Sequence, residues 1–106
     1  MPAAKGGNVH RVEWTASALE DIESLFDHVA EHASPLEAEH LCRRLLRSTD
    51  RLTQFPRLYE AAPIYGEGVR RISLLGQHVL YEVNDADQRV TILAVVGQRP
   101  NPKSIR

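Results

Sequence analysis

Apolar positions change period twice along this chain, and those changes divide it into elements. From Val9 to Trp14 the period is two: Val12 and Trp14 face one way, Arg11 and Glu13 the other, which predicts a short strand. Leu19, Ile22, Phe26, Val29 and Ala33 then recur at three- and four-residue steps, the stripe of an amphipathic helix. Ser17 stands three residues before Glu20, the spacing of a capping box in which each side chain bonds the other's free backbone N–H. Pro35 disfavours helical geometry in the residue before it, so this helix should stop near Ala33. A second helix should begin at once, with Ser34 as N-cap, Pro35 in the first helical position and Glu37 closing another capping box. Its buried stripe is Ala38, Leu41, Cys42, Leu45, Thr49, Leu52 and Phe55, and Phe55-Pro56 ends it. So tight a connection between two amphipathic helices predicts an antiparallel hairpin.

The second half of the chain reads differently. Residues 57–68 hold Pro63 and two glycines and predict a loop. Three strands follow, Val69 to Leu75, His78 to Val83 and Arg89 to Gly97, with turns at Gly76-Gln77 and at Asn84-Asp85-Ala86-Asp87. Val79, Tyr81 and Val83 share one face of the middle strand. The run from Val90 to Val96 is apolar on both faces, as in a central strand covered on two sides. Short connections make these three an antiparallel meander, and the first strand joins an edge. The expectation is an α+β domain of order β-α-α-β-β-β, an N-terminal helical hairpin packed on a small antiparallel sheet. It spans 9–99 as a single unit, between a flexible tail at 1–8 and a proline-broken irregular tail at 100–106.

Composition narrows the class. At 106 residues the chain holds one core and not two. A net charge of −1 excludes a uniformly basic protein that coats nucleic acid by bulk charge. The charge is unevenly placed. The first helix carries Glu20, Asp21, Glu23, Asp27 and Glu31 without lysine or arginine, and the second carries Arg43, Arg44, Arg47 and Arg51. We expect two solvated faces with weak pairs across the hairpin, each worth ~0–1 kcal/mol. Cys42 is the only cysteine, which rules out an intramolecular disulfide and fits a reducing, cytoplasmic setting. No apolar run approaches the ~20 residues of a membrane span, and the N-terminal stretch has no apolar core of a signal peptide.

Several strings, taken together, carry a resemblance. They are Val12-Glu13-Trp14-Thr15 leading into Ala18-Leu19-Glu20-Asp21-Ile22, and Leu52-Thr53-Gln54-Phe55-Pro56 closing the hairpin. Downstream come Val69-Arg70-Arg71-Ile72, then Val79-Leu80-Tyr81-Glu82-Val83, then Val95-Val96-Gly97-Gln98-Arg99. In order and spacing they resemble the toxins of the bacterial RelE/ParE superfamily, and the two long helices with a Phe-Pro linker resemble the ParE branch. The resemblance implies the toxic half of a type II toxin–antitoxin pair, a hetero-oligomer with a cognate antitoxin that wraps the hairpin and sheet. It implies a binding inhibitor of DNA gyrase without an active site, and contact with DNA only through the antitoxin. Trp14, Arg70, Arg71, Arg99 and Lys103 are the partner-contact candidates it points to.

The RelE branch instead cuts messenger RNA on the ribosome. Such chemistry must deprotonate a ribose 2′-OH, protonate the leaving oxygen and stabilise extra negative charge. The matching region offers Arg71, His78 and Arg99, although Pro100 to Arg106 contains neither tyrosine nor histidine. The plainer reading of Arg70, Arg71 and Arg99 is edge arginines that are solvated or paired with a carboxylate such as Glu82. His78 opens a strand after a glycine turn and is expected to be exposed. His28 and His32 stand at i, i+4, a spacing that suits a metal, but surface histidines explain them and we expect neither metal nor cofactor. Cys42 reads as an inert core thiol, Tyr81 as sheet packing, and no glycine-rich phosphate loop is present.

Three functions follow. A gyrase-binding toxin predicts a partner surface and no catalytic cluster. A ribonuclease predicts Arg71, His78 and Arg99 converging on a basic concave face. A superfamily member that has lost toxicity would keep only the binding surface.

Overall fold

The computed structural model of the chain describes residues 9–97, so the expectations for both tails, and for Arg99 and Lys103, lie outside the described residues. Strand β1 (Arg11–Trp14) leads into helix α1 (Ala16–His32) and helix α2 (Pro35–Arg47). Two 3-10 turns at Asp50–Thr53 and Pro63–Tyr65 punctuate the linker to β2 (Arg70–Leu74), β3 (Gln77–Asn84) and β4 (Arg89–Gly97). This is the order the periodicity predicts.

The sheet runs β1-β4-β3-β2, with β2, β3 and β4 antiparallel neighbours. β1 joins the sheet beside β4, as expected of an edge strand, but runs parallel to it, Val12 opposite Val90 and Trp14 opposite Ile92. The sheet is therefore mixed. The cause lies in the linker, where Ala61 bridges Arg70 in antiparallel sense. That segment carries the chain back along β2 before β2 begins, so β2 starts in the direction of β1, and two reversals leave β4 parallel to β1.

Caps decide where the helices start. Ser34 caps α2 as predicted, its Oγ accepting from the Glu37 N–H at 3.0 Å. The cap of α1 is Thr15 rather than Ser17: its Oγ1 accepts from the Ala18 N–H at 3.0 Å. The same hydroxyl donates to the Ile92 carbonyl at 2.9 Å, which Ser17 could not reach. Ala18 and Ile22 consequently face the sheet, with Leu25 and Phe26 packed against the core, and Leu19 is 45% exposed instead of buried. The expected stripe holds on α2 at Ala38, Cys42 and Leu45 and past its end at Thr49 and Leu52, all buried, with Leu41 partly buried. Phe55 departs from it at 53% exposed, because the α-helix closes at Arg47 and the chain turns through Asp50–Thr53. Cys42 donates its thiol to the Ile22 carbonyl at 3.7 Å, and burial raises its pKa, the state of an inert thiol.

Opposite the helices' apolar stripes lie Ile72, Val79, Tyr81, Val90, Ile92 and Val95. Leu93 is left over between Leu80 opposite Ala94 and Tyr81 opposite Ile92, a bulge that lets Ile92 and Val95 both enter the core. β1 ends at Trp14, so β4 has an unpaired edge beyond Ile92. Asp21 of α1 covers it by accepting the Val95 N–H at 2.9 Å. No ion pair joins α1 to α2; Arg43 pairs instead with Glu39 of its own helix. Apart from Asp21, the acidic side chains of α1 lie on outward faces, as do the arginines of α2, not at the seam.

The β2–β3 turn falls one residue earlier than expected, at Leu75-Gly76, and Gln77 already belongs to β3. Both turn residues have positive φ, 53° at Leu75 and 82° at Gly76, as a two-residue hairpin requires. Glycine adopts this freely, whereas leucine pays about 1–2 kcal/mol there. Leu75→Asn should therefore raise stability by about 1 kcal/mol, read as a shift in the denaturation midpoint. An unchanged or lowered midpoint would show that Leu75 makes a compensating contact.

Candidate functional site

The stripe of α2 beside its buried one lines an open groove. One cavity, of about 700 Å³, lies between Leu41, Arg44 and Arg47 on the helix and Leu75 at the hairpin tip. A second of about 430 Å³ shares Arg44 and Arg47 and continues past Arg51 to Tyr59, Ile72 and Leu74. The floor is apolar and the rim mainly arginine, with Glu37 and His40 also lining the first cavity. The side chains of Arg44, Arg47 and Arg51 make no hydrogen bond or ion pair with any described residue, while the Arg43 side chain is engaged by Glu39. The strained, half-exposed Leu75 stands at the lip of this groove. The arginine spacing was visible in the sequence. The apolar floor was not, because it comes from β2, the linker and the hairpin tip.

The second constellation sits on the sheet face turned away from the helices. Arg71, Ser73, His78 and Leu80 share that face by register, Ser73 opposite His78 and Arg71 opposite Leu80. His78 is buried, contrary to the expected exposure, at 9% of its surface. Ser73 Oγ lies 2.9 Å from its Nδ1, and the Tyr65 ring meets it edge-on with centroids 6.2 Å apart. Tyr65 arrives from the linker, which is why neighbours in sequence gave no sign of it. Burial, then the positive charge of Arg71, lowers the His78 pKa below its usual value of 6.5, with Glu60 opposing. Arg71 donates from Nε to Glu60 at 2.6 Å, so its carboxylate partner is Glu60 and not Glu82.

The histidine has a pH consequence. Because its folded pKa is lowered, protonation is easier in the unfolded chain, so stability should fall as pH drops below about 6.5. His78→Asn keeps a polar partner for Ser73 without a titrating ring. Its denaturation midpoint should drop less than the wild type's between about pH 7 and about pH 5; equal losses would contradict the assignment.

The remaining predicted residues do not gather. Arg70 points to the other side of β2 and donates to the Tyr59 carbonyl at 2.7 Å. Trp14 lies on β1 at the far edge, partly buried against the core. The structure thus brings Arg71 and His78 together and leaves Trp14 and Arg70 apart from them. Tyr81 is fully buried in sheet packing, as expected. His28 and His32 stack with centroids 4.2 Å apart, His32 Nδ1 lying 2.8 Å from the His28 carbonyl oxygen. Among the described residues no group of three or more ligating side chains could hold a metal, and no helix is long and apolar enough to cross a membrane.

Comparison with known proteins places this fold. In solved structures it resembles the chromosomal ParDE toxin–antitoxin system of P. aeruginosa, with a TM-score of 0.76 and 19% identity over 87% of this chain and 99% of that one. It also resembles the RelBE2 toxin–antitoxin complex of Mycobacterium tuberculosis, with a TM-score of 0.65 and 17% identity over 85% of this chain and 99% of that one. The isolated RelE toxin of E. coli matches with a TM-score of 0.56 and 18% identity over 91% of this chain and 93% of that one. No curated protein sequence matches the chain. The family described as the ParE toxin of the type II toxin–antitoxin system parDE matches residues 12–102. That match takes in the hairpin, the linker and the four strands save Arg11 at the start of β1, and the chain belongs to the ParE toxin family.

Proposed function

We propose that this toxin acts by binding DNA gyrase in the cytoplasm and is held inactive by a cognate antitoxin. The observation that carries the binding half is the groove beside α2, open, apolar at its floor and rimmed by Arg44, Arg47 and Arg51, whose side chains have no partner among the described residues. An antitoxin segment, disordered alone and folding on contact, would bury apolar side chains there. Gyrase as the target rests on membership of the ParE family. Arg71 and His78 support this reading in their structural role, each tied to a neighbour, Glu60 and Ser73. The antitoxin's own domain supplies any contact with DNA, so salt-sensitive operator binding by this chain alone would contradict the proposal. The C-terminal tail from Pro100 to Arg106, which carries Lys103, is the candidate for target contact, and Arg99 before it is a candidate for antitoxin contact. Deleting Pro100 to Arg106 should reduce toxicity and leave antitoxin binding intact; undiminished toxicity would refute that assignment.

A supercoiling assay with purified gyrase tests the target. The chain should inhibit supercoiling, and added antitoxin should relieve the inhibition. One observation favours ribosome-dependent RNA cleavage as a second reading: Arg71, Ser73 and His78 share a face, and His78 is held neutral near neutral pH, as a general base requires. Cleavage of messenger RNA on translating ribosomes, lost in Arg71→Ala and His78→Ala, would establish that reading against the first.

A further inference from the structure

The groove has a complement on the same molecule. The outward face of α1 carries Glu20, Glu23, Asp27 and Glu31, none of them in an ion pair within the described residues, and no lysine or arginine. Asp21 is excluded from this face because it is spent on the Val95 N–H. Beside these carboxylates Leu19 is 45% exposed, an apolar side chain on an otherwise acidic surface. α1 has 17 residues, about 25 Å at ~1.5 Å per residue. The groove follows α2 and its continuation from Glu37 to Arg51, about 20 Å on the same scale. Length and charge sign correspond, and the exposed Leu19 on one surface has an apolar floor to meet on the other. Net charge is −1, so copies of the chain do not repel one another as wholes.

We infer that the chain self-associates head-to-tail, α1 of one copy seated in the arginine-rimmed groove of the next. The carboxylates at Glu23 and Asp27 meet Arg44 and Arg47, and Leu19 enters the apolar floor near Leu41 and Leu75. The two surfaces differ, so the contact is heterologous: each added copy leaves one groove and one acidic helix free, and association continues beyond a dimer. Any partner that uses the groove must first displace the neighbouring copy. The inference does not depend on the cellular target, since it concerns only the chain with itself.

Sedimentation of the purified full chain tests it, at about 0.05 M and about 0.5 M salt, because exposed pairs are screened as the Debye length shortens. At low salt the mean mass should rise with concentration past that of a dimer and fall back toward the monomer at high salt. Arg44→Glu/Arg47→Glu and Glu23→Arg/Asp27→Arg, checked by circular dichroism to be folded, should each be monomeric. Mixing the two variants should restore complexes that contain both, which a misfolded variant could not do. A wild type monomeric at every concentration and salt would overturn the inference, as would association that survives either variant. So would a monomer whose groove takes up only an acidic amphipathic peptide, since the occupant would then be a different partner.

Discussion

Leu45→Ala should destabilise the chain by about 2–5 kcal/mol, measured by chemical denaturation, because it opens a cavity where nothing can collapse to fill it. Leu45 is fully buried at the middle of α2's inner stripe, between Cys42 and Thr49, and faces a sheet whose Val79, Tyr81 and Ile92 are also fully buried. Rigid helices and a paired sheet surround it, so relaxation is limited. A control separates volume from polarity at the same layer. The Tyr81 hydroxyl is buried near the Tyr59 backbone without a hydrogen bond of good geometry, and burial raises its pKa. Tyr81→Phe removes an unsatisfied group and should be neutral or slightly stabilising. A Leu45→Ala loss below about 1 kcal/mol, or a large loss in Tyr81→Phe, would show that the hairpin does not pack on the sheet as described.

The second large effect lies at the sheet edge. Asp21→Ala should cost about 1.5–3 kcal/mol, the value of a hydrogen bond to a charged acceptor whose loss strands a donor. β1 pairs β4 only as far as Ile92, and the Val95 N–H beyond it has Asp21 as its acceptor at 2.9 Å. No β1 residue remains to take over. Asp21→Asn keeps an acceptor oxygen and should recover most of the loss, which distinguishes the bond from the charge. Equal stability of the Ala variant and the wild type would mean that water satisfies the donor.

These residues also show which parts of the fold could be read in advance. The Ser34-Pro35-Glu37 start of α2 was legible because a cap is settled within four residues. The start of α1 was not, since Thr15 and Ser17 are both hydroxyl residues and the choice is made by Ile92, 77 positions away. That shift carried Leu19 out of the core and Ala18 into it. The strand pattern gave the meander, but a two-residue period is the same for parallel and antiparallel neighbours, so the direction of β1 depended on the path of the linker. The candidate site was half legible. Arg71 and His78 share a face because the turn between them is short, whereas Glu60, Ser73 and Tyr65 reach them through tertiary contacts. The arginines of α2 stood out by spacing, and only the fold shows that they rim a groove instead of pairing with α1.

Gyrase binding is the proposed route by which this ParE-family chain stops growth. Inducing it alone in a bacterial host, with pulse labels for DNA and protein synthesis in the first minutes, reads that claim directly. DNA synthesis should fall and cells should filament while translation continues. An immediate arrest of translation with DNA synthesis intact would contradict it and turn attention to Arg71, Ser73 and His78; normal growth would mean a surface that binds without poisoning.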